Sequence, residues 1–95
     1  MLTFAQSITI ARRSIKAVSG INIGDIDQND TLERAGIADP DGLRLVKRLA
    51  CLSQEFGVPK FNHELAFAAL DEIQNDSIVR DFANAIQENA EEQAS

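Results

Sequence analysis

Residues 39–57, DPDGLRLVKRLACLSQEFG, contain the clearest start and stop of a helix in the chain. Asp39 can cap free backbone N–H groups, and Pro40 suits the first helical position because its fixed φ is already helical. Gly57 favours termination. The stretch therefore predicts a helix that begins at Asp39–Pro40 and runs to about Phe56.

The predicted helix carries apolar residues in two neighbouring rows and basic residues outside these rows. One row consists of Leu45, Leu49, Leu52 and Phe56, and the flanking row consists of Leu43, Val46 and Ala50. Such rows mark the buried face of an amphipathic helix. We therefore expect Arg44, Lys47 and Arg48 to form a basic, exposed side in its first half.

A first helix is predicted from about Thr3 to Ser19, ahead of this stretch. Its apolar stripe follows the alternating spacing of four and three that is typical of a helix, and it comprises Phe4, Ile8, Ala11, Ile15 and Val18. Residues 21–38 form a long connection whose large aliphatic side chains are expected to pack back across the helix ends.

Two further helices are predicted after residue 60. The third begins near Asn62 and is short, and the fourth is capped by Asp76 or Ser77. Val79, Phe82 and Ile86 are expected to face inward on the fourth helix.

The 95 residues therefore predict one all-α domain over residues 1–87, a four-helix bundle with a long first loop and a short third helix. Residues 88–95 are predicted to be an acidic, flexible tail.

This order of elements resembles the acyl carrier proteins, and several motifs agree in register. Asp41-Gly42-Leu43 stands where the family has Asp-Ser-Leu, and Phe56-Gly57 stands where the family's second helix ends. Residues 78–86 are similar to the family's final helix. The resemblance implies a bundle of acyl-carrier type. In the family the serine carries phosphopantetheine, whereas Gly42 has no side chain, so we expect no cofactor here.

The resemblance also implies a role in binding. In the family an acidic second helix docks on basic partner enzymes, but here its exposed side is expected to be basic. We therefore predict a non-enzymatic interaction module, accessory to or regulating a fatty-acid or polyketide-type pathway, with an acidic protein partner. The predicted partner-binding residues are Asp41, Leu43, Arg44, Lys47 and Arg48. Alternatives are a genuine acyl carrier with displaced attachment chemistry and an unrelated helical adaptor or immunity-type protein.

Other chemistries find little support in the residues. Asp25, Asp27 and Asn29 open a calcium-loop pattern, but the glycine and glutamate that should follow are missing, so no metal is expected. His63 is the only histidine, and we interpret it as a surface or capping residue. Cys51 is interpreted as a small core residue rather than a reactive thiol.

The net charge of −6 disfavours nucleic-acid binding, and residues 49–95 hold nine acids against two Lys or Arg. No run is as apolar as a membrane span, and a single cysteine excludes an internal disulfide. We therefore expect a cytoplasmic monomer that does not enter a membrane.

Overall fold

The computed structural model describes residues 2–54 and 61–94. Within these ranges the chain forms helices α1 (Phe4–Ser19), α2 (Pro40–Gln54), α3 (His63–Ala69) and α4 (Val79–Ala94), with a short 3-10 helix at Ile23–Asp25. The described residues include no β-strand, only an isolated antiparallel bridge between Thr31 and Ile78. The prediction of an all-α fold with four helices is confirmed.

Helix α1 lies between α2 and α4 and makes the most extensive contacts in the fold. Thr3 and Gln6 form a reciprocal capping box at its start, and Gly20 ends it in the left-handed conformation at φ 78°. Ile8, Ala11 and Ile15 of the predicted stripe are buried. The local signals at both ends therefore fixed this helix as predicted.

The connection between α1 and α2 packs against the chain before α4. Leu32 N donates to Ser77 O at 2.9 Å, and Val79 N donates to Asp30 O at 2.9 Å. Ile26, Leu32 and Ile37 are buried, as the aliphatic content of the segment predicted. The loop is therefore a structural layer of the core that joins the start of α2 to the start of α4.

Helix α2 buries a different face from the one that its leucines indicate. Its buried residues are Gly42, Leu43, Val46, Lys47, Ala50, Cys51 and Gln54. Leu45 is 55% exposed and Leu52 is 50% exposed, so the prediction that their row faces inward is wrong. Because α1 and α3 pack against the face that contains the flanking row of Leu43, Val46 and Ala50, that row is buried as predicted and the leucine row is left outside. Phe56 and Gly57 lie outside the described residues.

Helix α3 is short, as predicted, and begins where its cap was expected. Asn62 Oδ1 accepts hydrogen bonds from Glu64 N at 3.0 Å and Leu65 N at 3.1 Å. The helix ends at Ala69, and Ile73 is buried beyond it in the following turn.

Helix α4 extends further than the sequence analysis expected. Val79, Phe82 and Ile86 are fully buried, as predicted. The flexible tail was expected to start at residue 88, but the helix continues to Ala94, with Asn89 and Ala90 buried. Asn89 Nδ2 donates to Ala66 O at 2.9 Å, which satisfies a buried amide group and ties the end of α4 to α3.

Within residues 2–54 and 61–94, no helix has the length and apolar character needed to cross a membrane.

Candidate functional site

The start of α2 is the region that the sequence analysis singled out. The helix begins at Pro40 with Asp41 in its first turn, and Leu43 N donates to Asp39 O at 3.1 Å. Proline has no backbone N–H, so Pro40 leaves no donor unpaired at the first position of the helix. The Asp41 carboxylate lies at the positive end of the helix dipole. The helix therefore starts where its local chemistry favours a start.

Gly42 occupies the first turn and is buried. A Cβ on this residue would lie 2.6 Å from Asp39 Oδ1 and 3.7 Å from Val18 Cγ1. The position is thus closed by a carboxylate on one side and by α1 on the other. Gly42 supplies no hydroxyl, thiol or amine, so its side chain can form no covalent bond to a prosthetic group.

Asn75 holds the backbone that leads into this turn. Its side-chain Nδ2 donates to Ile37 O at 2.8 Å and to Asp39 O at 3.2 Å. The backbone carbonyl of Asn75 accepts a hydrogen bond from Glu33 N at 2.8 Å. One side chain in the α3–α4 connection therefore fixes the last residues before α2.

The predicted partner-binding residues divide into exposed and buried sets. Asp41 and Arg44 are exposed, and their side chains approach to 4.0 Å in an ion pair that water screens. Leu43 and Lys47 are buried, at 8% and 7% exposure. The prediction that Lys47 is an exposed basic residue is therefore wrong, because the helix is rotated toward the face that contains it.

Burial lowers the pKa of Lys47 from its ordinary value, and the nearby Asp71 carboxylate opposes this effect. Lys47 contributes to a groove of about 240 Å³ that lies between α2 on one side and α3 with the chain after it on the other. The groove is lined by Pro40, Leu43, Arg44, Lys47, Phe67, Asp71 and Gln74. Its walls therefore combine apolar surface with two cations and one carboxylate.

Arg48 is held in place by α3. Its guanidinium carbon lies 3.9 Å from the centroid of the Phe67 ring, and Nη1 lies 3.2 Å from Glu64 Oε1. The cation–π contact and the charged hydrogen bond fix the side chain in one orientation. Arg48 thus joins α2 to α3 while its guanidinium remains partly exposed.

Cys51 is buried, at 1% exposure, which confirms its interpretation as a core residue. Burial raises the pKa of its thiol to about 11; the Arg48 charge lowers this pKa by a smaller amount, and the Glu64 carboxylate raises it. A thiol that is protonated and enclosed is a poor nucleophile.

His63 and the acidic loop residues do not form a metal site. His63 is the first residue of α3, and its ring meets Phe61 edge-on at 5.5 Å. Asp27 Oδ1 accepts from Asn29 N at 2.8 Å, as in an ordinary turn. Among the described residues, no group of three His, Cys, Asp or Glu is arranged to hold a metal ion.

The sequence analysis did not identify three residues that line the groove beside α2, namely Phe67, Asp71 and Gln74. Their spacing of four and three continues the helical period beyond the end of α3, and this was the only signal available.

A scan against protein-family models found no match, and searches of curated proteins and of solved structures likewise returned no significant match.

Proposed function

We propose that this chain is a non-enzymatic interaction module of acyl-carrier type that carries no phosphopantetheine of its own. It would act as an accessory or regulator in a fatty-acid or polyketide-type pathway and bind a protein partner through α2. The observation that carries the proposal is Gly42, a buried residue without a reactive side chain, in the first turn of α2.

The arrangement of the chain before α2 supports the proposal. The bundle of acyl-carrier type has a long first loop that folds over the helix ends, whereas the alternative of an unrelated adaptor predicts no such loop. Here Leu32 and Ile37 of that connection are fully buried, and its backbone pairs with the segment before α4. This feature favours the carrier-type interpretation over the adaptor.

The chemistry around Gly42 favours loss of the cofactor over its displacement. Ser53 is the only serine within α2, and it lies at the far end of the helix, where its hydroxyl donates to Leu49 O at 2.9 Å. The Cys51 thiol is the other group within α2 to which an acyl group could be attached, and it is buried. The function that remains is recognition by the helix surface itself.

The test is to incubate the protein with a phosphopantetheinyl transferase and coenzyme A and then measure its intact mass. An ordinary acyl carrier protein in the same reaction is the positive control. We expect the wild-type chain and Gly42→Ala to keep their mass. A gain of the phosphopantetheine mass by Gly42→Ser would show that the recognition surface is retained and that only the hydroxyl was lost. A mass increase of the wild-type chain would contradict the loss of the cofactor.

A further inference from the structure

The outward face of α2 carries a leucine row that the described residues leave exposed, which we define as Leu45, Leu49 and Leu52. Leu45 is 55% exposed and Leu52 is 50% exposed, and Leu49 between them is half-buried. Their spacing of four and three residues places them on one stripe of the helix, about 10 Å long. The stripe is therefore a continuous apolar surface rather than three scattered side chains.

Within residues 2–54 and 61–94 the leucine row stays exposed, although the same helix buries polar residues. Lys47 and Gln54 lie on the inner face at 7% and 0% exposure, and both polar atoms of the Gln54 side-chain amide lack a hydrogen-bond partner. Packing α2 with its leucines inward would remove more apolar surface from water. A helix that keeps its leucines outward at this cost is typical of a surface that another molecule covers.

We propose that the leucine row is a docking surface for an acidic amphipathic helix of a partner protein. This inference rests on the proposed function, in which α2 is the interaction face, and it moves the contact surface from Leu43 and Lys47 to the leucine row.

The charge around the leucine row selects an acidic partner. On the exposed side of α2, Arg44 and Arg48 are cationic and Asp41 is acidic, whereas Lys47 is buried on the inner face. By helical position Arg44 and Arg48 lie along one side of the row. Arg48 is already oriented by Glu64 and Phe67, whereas the Arg44 side chain is 70% exposed and makes only the 4.0 Å contact with Asp41. Carboxylates beside an apolar strip would find complementary charge here.

A second copy of this chain matches the surface less well than an acidic partner. Pairing α2 with α2 would bring the same arginines close to one another. Helix α4 offers acidic residues, but none of the exposed large hydrophobic side chains of the described residues lies on it. At 15 residues, α2 is about 22 Å long, so its one face is smaller than a stable dimer usually requires. The surface therefore fits a transient contact with a different, acidic protein.

The experiment uses two labelled synthetic peptides as probes. Both are amphipathic helices with leucines at positions i, i+4 and i+7, flanked by glutamates in one peptide and by lysines in the other. Fluorescence anisotropy measures their binding to the full chain. We expect the glutamate peptide to bind at least about tenfold more tightly than the lysine peptide and to weaken with added salt.

Variants locate the binding. The double variant Leu45→Ser/Leu52→Ser should weaken binding of the glutamate peptide by at least about tenfold. Arg44→Glu should weaken it several-fold. Leu65→Ser is the matched control, because Leu65 is 63% exposed but belongs to α3 and not to the row on α2, and its loss should leave the affinity within about twofold. Circular dichroism checks that each variant keeps its helices.

Absence of binding by the glutamate peptide, or equal binding by the wild type and the double variant, would overturn the inference. A dimer that forms with rising concentration and is lost in the double variant would also overturn it, in favour of a second copy as the occupant. These outcomes are separate from failure of the proposed function, which would appear as a phosphopantetheine mass on the wild-type chain.

Discussion

Gly42 and Asp39 lie so close at the start of α2 that a Cβ on Gly42 would stand 2.6 Å from Asp39 Oδ1. The near atom is the end of a rotatable carboxylate, so a small side chain at position 42 has to displace only that group. The same distance at Gly36 is more restrictive, because the near atom there is Ser19 Cβ and Gly36 has φ 95°.

The two glycines therefore respond differently to alanine. We expect Gly36→Ala to lower the free energy of unfolding by about 2–4 kcal/mol, because both the positive φ and the short contact oppose a side chain. Gly42→Ala should change it by no more than about 1 kcal/mol, since helix propensity offsets the displaced carboxylate. Urea unfolding followed by circular dichroism measures both, and equal losses would contradict the geometry at Gly36.

Asn75 is predicted to stabilise the fold through its two side-chain hydrogen bonds. Asn75→Ala removes the donor for Ile37 O and Asp39 O, and we expect a loss of about 1–3 kcal/mol in unfolding free energy. Asn84→Ala, at an exposed position of α4, is the control and should stay within about 0.5 kcal/mol of the wild type. Similar unfolding free energies for the two variants would show that the side-chain hydrogen bonds of Asn75 contribute little to stability.

Cys51 should resist alkylation in the folded protein. Its pKa rises from 9.0 to about 11, which lowers the thiolate fraction near pH 8 by about 100-fold, and burial restricts access further. We expect iodoacetamide to modify the folded chain at least about 100-fold more slowly than the chain in concentrated urea. Comparable rates, measured by intact mass over time, would refute the enclosed position of the thiol.

Lys47 should make stability depend on alkaline pH. Burial lowers its pKa in the folded state below 10.5, so between the two values the unfolded chain binds more protons, and the free energy of unfolding rises with pH in that window. Lys47→Met removes the burial cost of the ammonium and should stabilise the protein at pH 7 by less than about 1 kcal/mol, because solvent screening reduces that cost.

The stabilising effect of Lys47→Met should shrink as the pH approaches 10.5, when wild-type Lys47 loses its proton in the folded state. Lys16→Met, an exposed change in the last turn of α1, should not stabilise the protein. A loss of stability in Lys47→Met at pH 7 would show that attraction to Asp71 outweighs burial.

The helix starts followed from local chemistry and were predictable. Helix α2 begins after Asp39 with Pro40 as its first residue, and α3 begins after Asn62. These residues favour a helix start through contacts within one turn of the chain, so the starts can be predicted without the rest of the fold. The aliphatic residues of the first loop likewise indicated that it would pack on the bundle.

The inward face of α2 was not predictable, because two adjacent rows are both apolar. Which row is buried depends on how α1 and α3 pack around the helix, and the buried row includes Lys47, which looks like a surface residue in sequence. The end of α4 was missed for a related reason. Asn89 and Ala90 do not form a strong apolar pattern, yet a hydrogen bond and a small side chain let this part pack closely.

The central claim, that the chain carries no phosphopantetheine, is tested most directly by the intact mass of the wild-type protein after co-production with a phosphopantetheinyl transferase. We predict the mass of the unmodified sequence. A wild-type protein that carries phosphopantetheine, at any of its residues, would contradict the account.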